Sequence, residues 1–285
     1  MSIVRPSQPQ LLVVAAPRLT IITPVSFDHP QFLGNTVAEI AGEKAGILKR
    51  GVPCLVGPQP EDAAEVIEAR AAKVGAPLIA HGQHWHVGEE RGRLVYQDER
   101  GLLDLPLPNL PGAHQIENAG AALAALRELG LGERAAEAAV TRAFWPARMQ
   151  RLREGPLVES APGVELWLDG GHNASAGQAI GRHMATLPAR ETFLICGMLN
   201  TKDVTGYLAP LAPVTERLLA VSIPGEANTL SAAETVAAAR NVGMAADEAA
   251  SVTEALARIV AERPEARVLI CGSLYLAGHV LRENG

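Results

Sequence analysis

From Leu19 to Val25 the chain reads LTIITPV, a continuous apolar and β-branched run of the kind that fills a strand buried on both faces, and it opens into the polar turn SFDHPQFLGN. From Asn35 the period lengthens. Val37, Ile40 with Ala41, Lys44, and Ile47 with Leu48 recur at three-to-four spacing, which predicts a helix capped by Asn35 and stopped near Gly51. A strand over 53–57, a helix over 61–74 and a strand over 77–81 follow in alternating α/β order. Between His84 and Leu107 the pattern turns to short alternating runs, HWHVG, RLVYQ and LLDLPL, parted by Glu, Arg and Gly; these predict a small antiparallel meander attached to the sheet. Two helices are expected next, over 114–129 and 133–144.

Pro146 breaks the helical pattern inside WPARMQRLREG (145–155), so the predicted division is into residues 1–150 and 151–285. Beyond it the strands ELWLD, TFLICG, RLLAVSI and ARVLICG alternate with helices starting near Asn173, Val204, Ala232 and Val252, and a last helix closes the chain. Apolar strands interleaved with helices predict a Rossmann-like open sheet, mostly parallel, with helices on both faces. Ligands collect at the carboxyl ends of such strands, which places 169–173, 197–203, 222–226 and 272–275 along one rim.

Composition narrows the classes. With 285 residues, 48% of them hydrophobic, the chain can bury one large core or two ordinary ones, and two domains is the expectation. A net charge of −6 argues against wrapping nucleic acid, while a small anionic substrate needs only a local basic pocket. Cys54, Cys196 and Cys271 lie far apart in apolar runs and read as reduced core residues. The apolar stretch 11–16 is too short for a signal and no window approaches a membrane span, so a cytoplasmic, monomeric protein without nucleic-acid or membrane partners is expected.

Several residues stand out for their chemistry. The 37/40/44/47 spacing puts Lys44 on the stripe that should face inward; desolvation disfavours an ammonium and leaves a nucleophilic amine able to form a Schiff base or capture carbon dioxide as a carbamate. A snorkelling lysine covering apolar surface is the alternative. Asp28 and His29 follow a buried strand, where they could reach a metal or phosphate or simply cap a turn. In LDGGHN (168–173), two glycines permit close backbone approach to a ligand, Asp169 and His172 project from the loop, and Asn173 is placed to cap a helix; an ordinary strand-to-helix turn has the same shape. His114 and Asn118 share one helical face beside Gln115, and Arg148 and Arg151 flank Met149, where cations could reach phosphates. Neither G-x-G-x-x-G nor G-x-x-x-x-G-K-[ST] occurs.

Taken in order, TPVSFDHPQFLGNTVAEIAGEKAGILKRGVP (23–53), GAHQIENAGAALAAL (112–126), WPARMQRL (145–152), LDGGHNASA (168–176), GMLNTKD (197–203) and GSLYLAG (272–278) resemble the folylpolyglutamate synthase/dihydrofolate synthase family of the Mur-ligase superfamily. The resemblance implies part of a Mur-ligase central domain over 1–150, a mixed sheet with helices and a small meander, and a C-terminal glutamate-binding domain over 151–285. It implies an ATP- and magnesium-dependent ligase that activates a dihydropteroate or folate carboxylate as an acyl phosphate, which the amine of L-glutamate attacks. It further implies that His29 and a carbamylated Lys44 bind metal and that Lys44 and His172 take part in catalysis. Asn118, Arg148 and Asp169 would contact ATP, with Arg148 on phosphate and Asp169 near the sugar, and His172 and Ser273 would lie on the glutamate and acyl-phosphate side. Lys202 and Asp203 match a motif of unassigned role. Family members open on a GTNGKGS-type phosphate loop that this sequence lacks, so the chain is expected to hold the central and C-terminal parts and not to turn over ATP unaided. A non-catalytic folate- or glutamate-binding remnant, or another Mur-type amino-acid ligase, are the competing readings.

Overall fold

A computed structural model describes residues 14–26, 34 and 36–284, and these fall into two compact units, the first comprising the described residues up to 109 with 113–143 and the second 110–112 with 144–284. Residues Phe144–Gln150 thus belong with the second unit.

In the first unit, β1 (Thr20–Ile22), β2 (Cys54–Val56) and β3 (Leu78–Ala80) form a parallel sheet in that order. All three residues of β2 are buried, as its unbroken apolar run requires. Helices Val37–Lys44 and Glu61–Val74 cover this sheet, and Ile22, Ile40, Leu55, Ile67 and their neighbours are withdrawn from water. Asn35 lies outside the described residues; the cap is Thr36, whose side chain accepts from the Glu39 amide at 3.1 Å. Gly75, with φ 77°, ends the second helix in the left-handed conformation.

The meander is a sheet of its own, β4 (Trp85–Glu90), β5 (Arg93–Asp98) and β6 (Gly101–Pro106), joined to the parallel strands through an isolated bridge between His81 and Trp85. Helix His114–Glu128 packs on it so closely at Gly120 that a β-carbon there would lie 2.7 Å from the Trp85 ring. Leu94, Tyr96, Leu103 and Leu123 fill the space between.

The second unit is built on a six-stranded sheet, ordered β11 (Ala246–Glu248), β10 (Arg217–Ala220), β9 (Thr192–Cys196), β12 (Arg267–Cys271), β8 (Glu165–Leu168) and β7 (Gln150–Arg151). All pairings are parallel except β7 with β8. The central strands β9 and β12 are buried at every position, and separate apolar cores lie on the two faces. Helix Ala174–Thr186 belongs to one face with Tyr207 and Leu211; helices Val252–Glu262 and Leu274–Glu283 belong to the other. Because β12 inserts between β8 and β9, the loops that leave these three strands open side by side. No helix among the described residues is long and apolar enough to cross a membrane.

Candidate functional site

The second unit concentrates its chemistry on the loop after β8. Asp169 is 2% exposed, and both carboxylate oxygens are engaged: Oδ2 accepts from the Met149 amide at 2.7 Å and Oδ1 from the Gly171 amide at 2.6 Å. Burial pushes its carboxyl above the ordinary range, opposed by those two amides and by the charges of Arg148 and His172. The neighbouring Gly170 amide donates to the Ala147 carbonyl at 2.8 Å.

These bonds hold a strained segment. Ala147 and Met149 both have positive φ, 53° and 41°, a conformation that costs a side-chain-bearing residue about 1–2 kcal/mol. The Gln150 side chain supports the turn by accepting from the Ala147 amide at 2.8 Å. Arg148, between the two strained residues, is exposed at the tip. A cation is therefore displayed from a backbone fixed at both sides by the Asp-Gly-Gly loop.

Gly171 is required by close approach, since a β-carbon there would lie 2.8 Å from Asp169 Oδ1 and 2.9 Å from the Ala176 β-carbon. His172 Nδ1 lies 2.9 Å from the Gly170 carbonyl oxygen, which can only accept; Nδ1 therefore donates to it, and this bond orients the ring and leaves Nε2 at its far edge. Asn173 caps helix Ala174–Thr186 through the Ala176 amide at 2.8 Å, as its place in the sequence predicts. After β12, Gly272 takes φ 104° and Ser273 is 2% exposed, its hydroxyl accepting from the Tyr275 amide at 3.0 Å at the start of helix Leu274–Glu283. After β9, Asp203 caps the short helix Val204–Leu208 through the Gly206 amide at 2.9 Å, and the preceding loop is pinned by the Leu230 amide on the Met198 carbonyl. Tyr207, from that helix, is fully buried and its hydroxyl makes no hydrogen bond among the described residues. Burial, with Cys271, Cys196 and Asp169, pushes it well above its ordinary range, so it stays protonated.

In the first unit, Gln115 is buried and links two polar neighbours: its amide lies 3.0 Å from His114 Nε2, and its carbonyl accepts from Asn118 Nδ2 at 3.0 Å. Asn118 itself is exposed. Lys44 departs from expectation. The inward stripe is Ile40, Ala41, Ala45 and Leu48, and Lys44 is exposed at the last position of its helix, where the chain tightens into the 3₁₀ turn Ala45–Ile47 and the helix end favours a cation. The argument from a desolvated amine does not hold for it. Asp28 and His29 lie outside the described residues, and among the described residues no group of three or more His, Cys, Asp or Glu is placed to hold a metal ion.

Of the paired arginines, Arg148 joins the Asp169 loop, whereas Arg151 turns to Glu165 and the Trp167 ring. The sequence reading passed over Met149 and Gln150, whose contributions come from a backbone amide and a turn-supporting amide side chain. Their only local signal is Pro146, which stands five residues beyond the end of helix Glu133–Thr141 and keeps the helix from resuming.

Comparison with known proteins bears on this geometry. The sequence model of the dihydrofolate synthetase C-terminal domain matches residues 158–283. The folylpolyglutamate synthase of Lacticaseibacillus casei is 29% identical over 94% of this chain and 62% of its own length, and the dihydrofolate synthase/folylpolyglutamate synthase of Escherichia coli is 31% identical over 92% and 59%. In structure, Escherichia coli FolC in complex with DHPP and ADP superposes with a TM-score of 0.81 at 29% identity, over 93% of this chain and 61% of that one. Mycobacterium tuberculosis folylpolyglutamate synthase complexed with ADP and AMPPCP gives 0.79 at 27% identity, over 93% and 63%. The chain spans about three fifths of the length of the curated relatives it matches, 62% and 59% for the two named. Sequence and fold agree over about nine tenths of the chain, 94% and 93%, and in both the chain is similar to members of the folylpolyglutamate synthase/dihydrofolate synthase family.

Proposed function

We propose that this chain supplies nucleotide- and glutamate-handling parts of an ATP-dependent ligase that joins L-glutamate to dihydropteroate or a folate through an acyl phosphate. The first unit is read as Mur-ligase central-domain structure and the second as the glutamate-binding domain. The observation that carries the reading is the Arg148 hairpin clamped to the Asp169 loop by the Met149 amide at 2.7 Å and the Gly170 amide at 2.8 Å. Phosphoryl transfer depends mainly on positioned charge, and a cation held on a strained, doubly tethered backbone needs little reorganisation as charge develops. Relatives solved with ADP support a nucleotide as the ligand.

Roles follow from the environments. Arg148 neutralises phosphate charge. Asp169, at 2% exposure and with both oxygens engaged, is a positioning residue that holds the hairpin instead of reaching the sugar directly. His172 presents Nε2 to the glutamate side, and Ser273 keeps its hydroxyl proton to donate while its oxygen caps the last helix. Asn118, held by Gln115, is read as a nucleotide contact of the first unit. Magnesium is expected from the family. Lys44, exposed and cationic, joins such a site only as a carbamate, with His29 as a second ligand, and the described residues do not by themselves form it. When bound, the ion would offset phosphate charge.

The test is ADP release by the full-length protein with dihydropteroate or tetrahydrofolate as acceptor. Release that requires both L-glutamate and the pterin, and that falls at least a hundredfold in Arg148→Met, is expected. Release indifferent to glutamate would overturn the ligase reading, and pterin binding without release would favour the non-catalytic remnant.

A further inference from the structure

Arg151, which the Asp169 loop leaves aside, belongs to a second concentration of charge in the same unit. Glu165, the first residue of β8, receives Arg151 Nη1 at 2.6 Å, Arg267 Nε and Nη2 both at 2.8 Å, and Arg190 Nε at 4.0 Å. One carboxylate thus serves three guanidinium groups and, among the described residues, leaves two positive charges without an ion-pair partner of their own. Arg153 adds a further exposed charge, and burial together with Arg153, Arg190 and Arg267 holds the Arg151 guanidinium below its usual range. Mutual repulsion on this scale is tolerated where an anion shares the site.

Unpartnered polar atoms gather in the same place. The Arg151 guanidinium carbon stands 5.5 Å from the Trp167 ring centre, and Trp167 meets His183 edge-on at 6.3 Å. Arg151 Nε, Trp167 Nε1 and His183 Nε2 are each buried without a hydrogen-bond partner among the described residues. Buried polar nitrogens of this kind normally find a hydrogen-bond partner. His183 is kept neutral by burial and by Arg267, so it adds no further charge. Glu165 and Arg267 begin β8 and β12, and Arg190 precedes β9, so the cluster sits at the opposite end of these parallel strands from Asp169 and Gly272.

We propose that Arg151, Arg153, Arg190 and Arg267, with Trp167 and His183, form a binding site for a small dianionic oxyanion of the phosphate class, separate from the Asp169 loop. Planar guanidinium forks match the tetrahedral oxygens of phosphate, and the indole N–H is a further donor. The four cations favour a dianion over a monocarboxylate. This inference does not rest on the proposed ligase activity.

Calorimetric titration of the whole chain with inorganic phosphate and, separately, with glycerol 3-phosphate tests it, with sodium chloride holding ionic strength constant. Saturable one-to-one binding is expected. Equal affinity for both would mean that the phosphoryl group is read, and preference for inorganic phosphate that the free ion is. Arg190→Met and Arg153→Met, both at exposed positions, should each weaken binding at least fivefold, with far-ultraviolet dichroism confirming the fold. Arg134→Met, an equal loss of charge in the first unit, should leave it unchanged. Absence of saturable binding overturns the proposal. So does loss of binding in Arg148→Met with retention in Arg190→Met, which would place the anion at the Asp169 loop.

Discussion

A buried carboxylate is costly unless fixed donors replace its lost water, and at Asp169 the amides of Met149 and Gly171 do so at 2.7 and 2.6 Å. Asp169→Asn turns an amide N–H toward one of those donors and should cost about 2–3 kcal/mol in urea unfolding. Its pH dependence has a definite sign. Burial raises the folded-state pKa of Asp169 above the unfolded value, so in the window between them the native state keeps a proton that the unfolded chain has lost, and stability falls as pH rises through it. Asparagine does not titrate there. The stability gap between the parent protein and Asp169→Asn should therefore widen in the parent's favour as pH is lowered from neutrality through that window; parallel pH profiles would show that Asp169 is not the titrating group. Gly272 is set by backbone shape. At φ 104°, and with a β-carbon 2.8 Å from Cys196 Sγ, the Gly197 oxygen and Met198 Cγ, Gly272→Ala should cost about 2–4 kcal/mol by the same denaturation. At this scale the sequence marked Asp169 and the glycines of its loop, because a strand ending in DGG admits few alternatives. It misplaced Lys44, because a residue on the margin of a helical stripe is turned in or out by where the helix ends.

Among elements, long periodic ones were legible. Helix Glu61–Val74 occupies the range its pattern predicts, and Asn173 caps helix Ala174–Thr186 as a polar residue between a glycine-rich turn and a periodic run should. Asn173→Ala should remove about 1 kcal/mol and lower the thermal midpoint of the second unit; an unchanged midpoint would mean that the Ala176 amide finds water as readily. Short elements were not legible. β7 is two residues and β11 three, ADE, too short for any period to register, and each exists because a neighbouring strand, β8 or β10, offers it a ladder. The meander's own three strands were readable from alternation, but its separation from the parallel sheet was not, since pairing partners are long-range choices.

For the molecule as a whole, the second unit carries two cores of its own residues, one running from Ala147 to Val280 and the other from Met149 to Cys271, on either face of a sheet whose central strands are fully buried. Residues 144–285 should therefore fold alone, with a single cooperative urea transition and the dichroism of an α/β domain; a gradual, non-cooperative loss of signal would contradict it. The sequence by itself determined the alternation of strands and helices and the resemblance to the folylpolyglutamate synthase/dihydrofolate synthase family, because hydrophobic period, turn residues and ordered motifs are local properties of the chain. Only the tertiary structure decided that the Met149 amide meets Asp169, that Arg148 rides on two left-handed residues while Arg151 faces Glu165, and that Lys44 is exposed. Those outcomes depend on which distant segments share a layer and on donors and acceptors of the backbone, and no side-chain pattern records either.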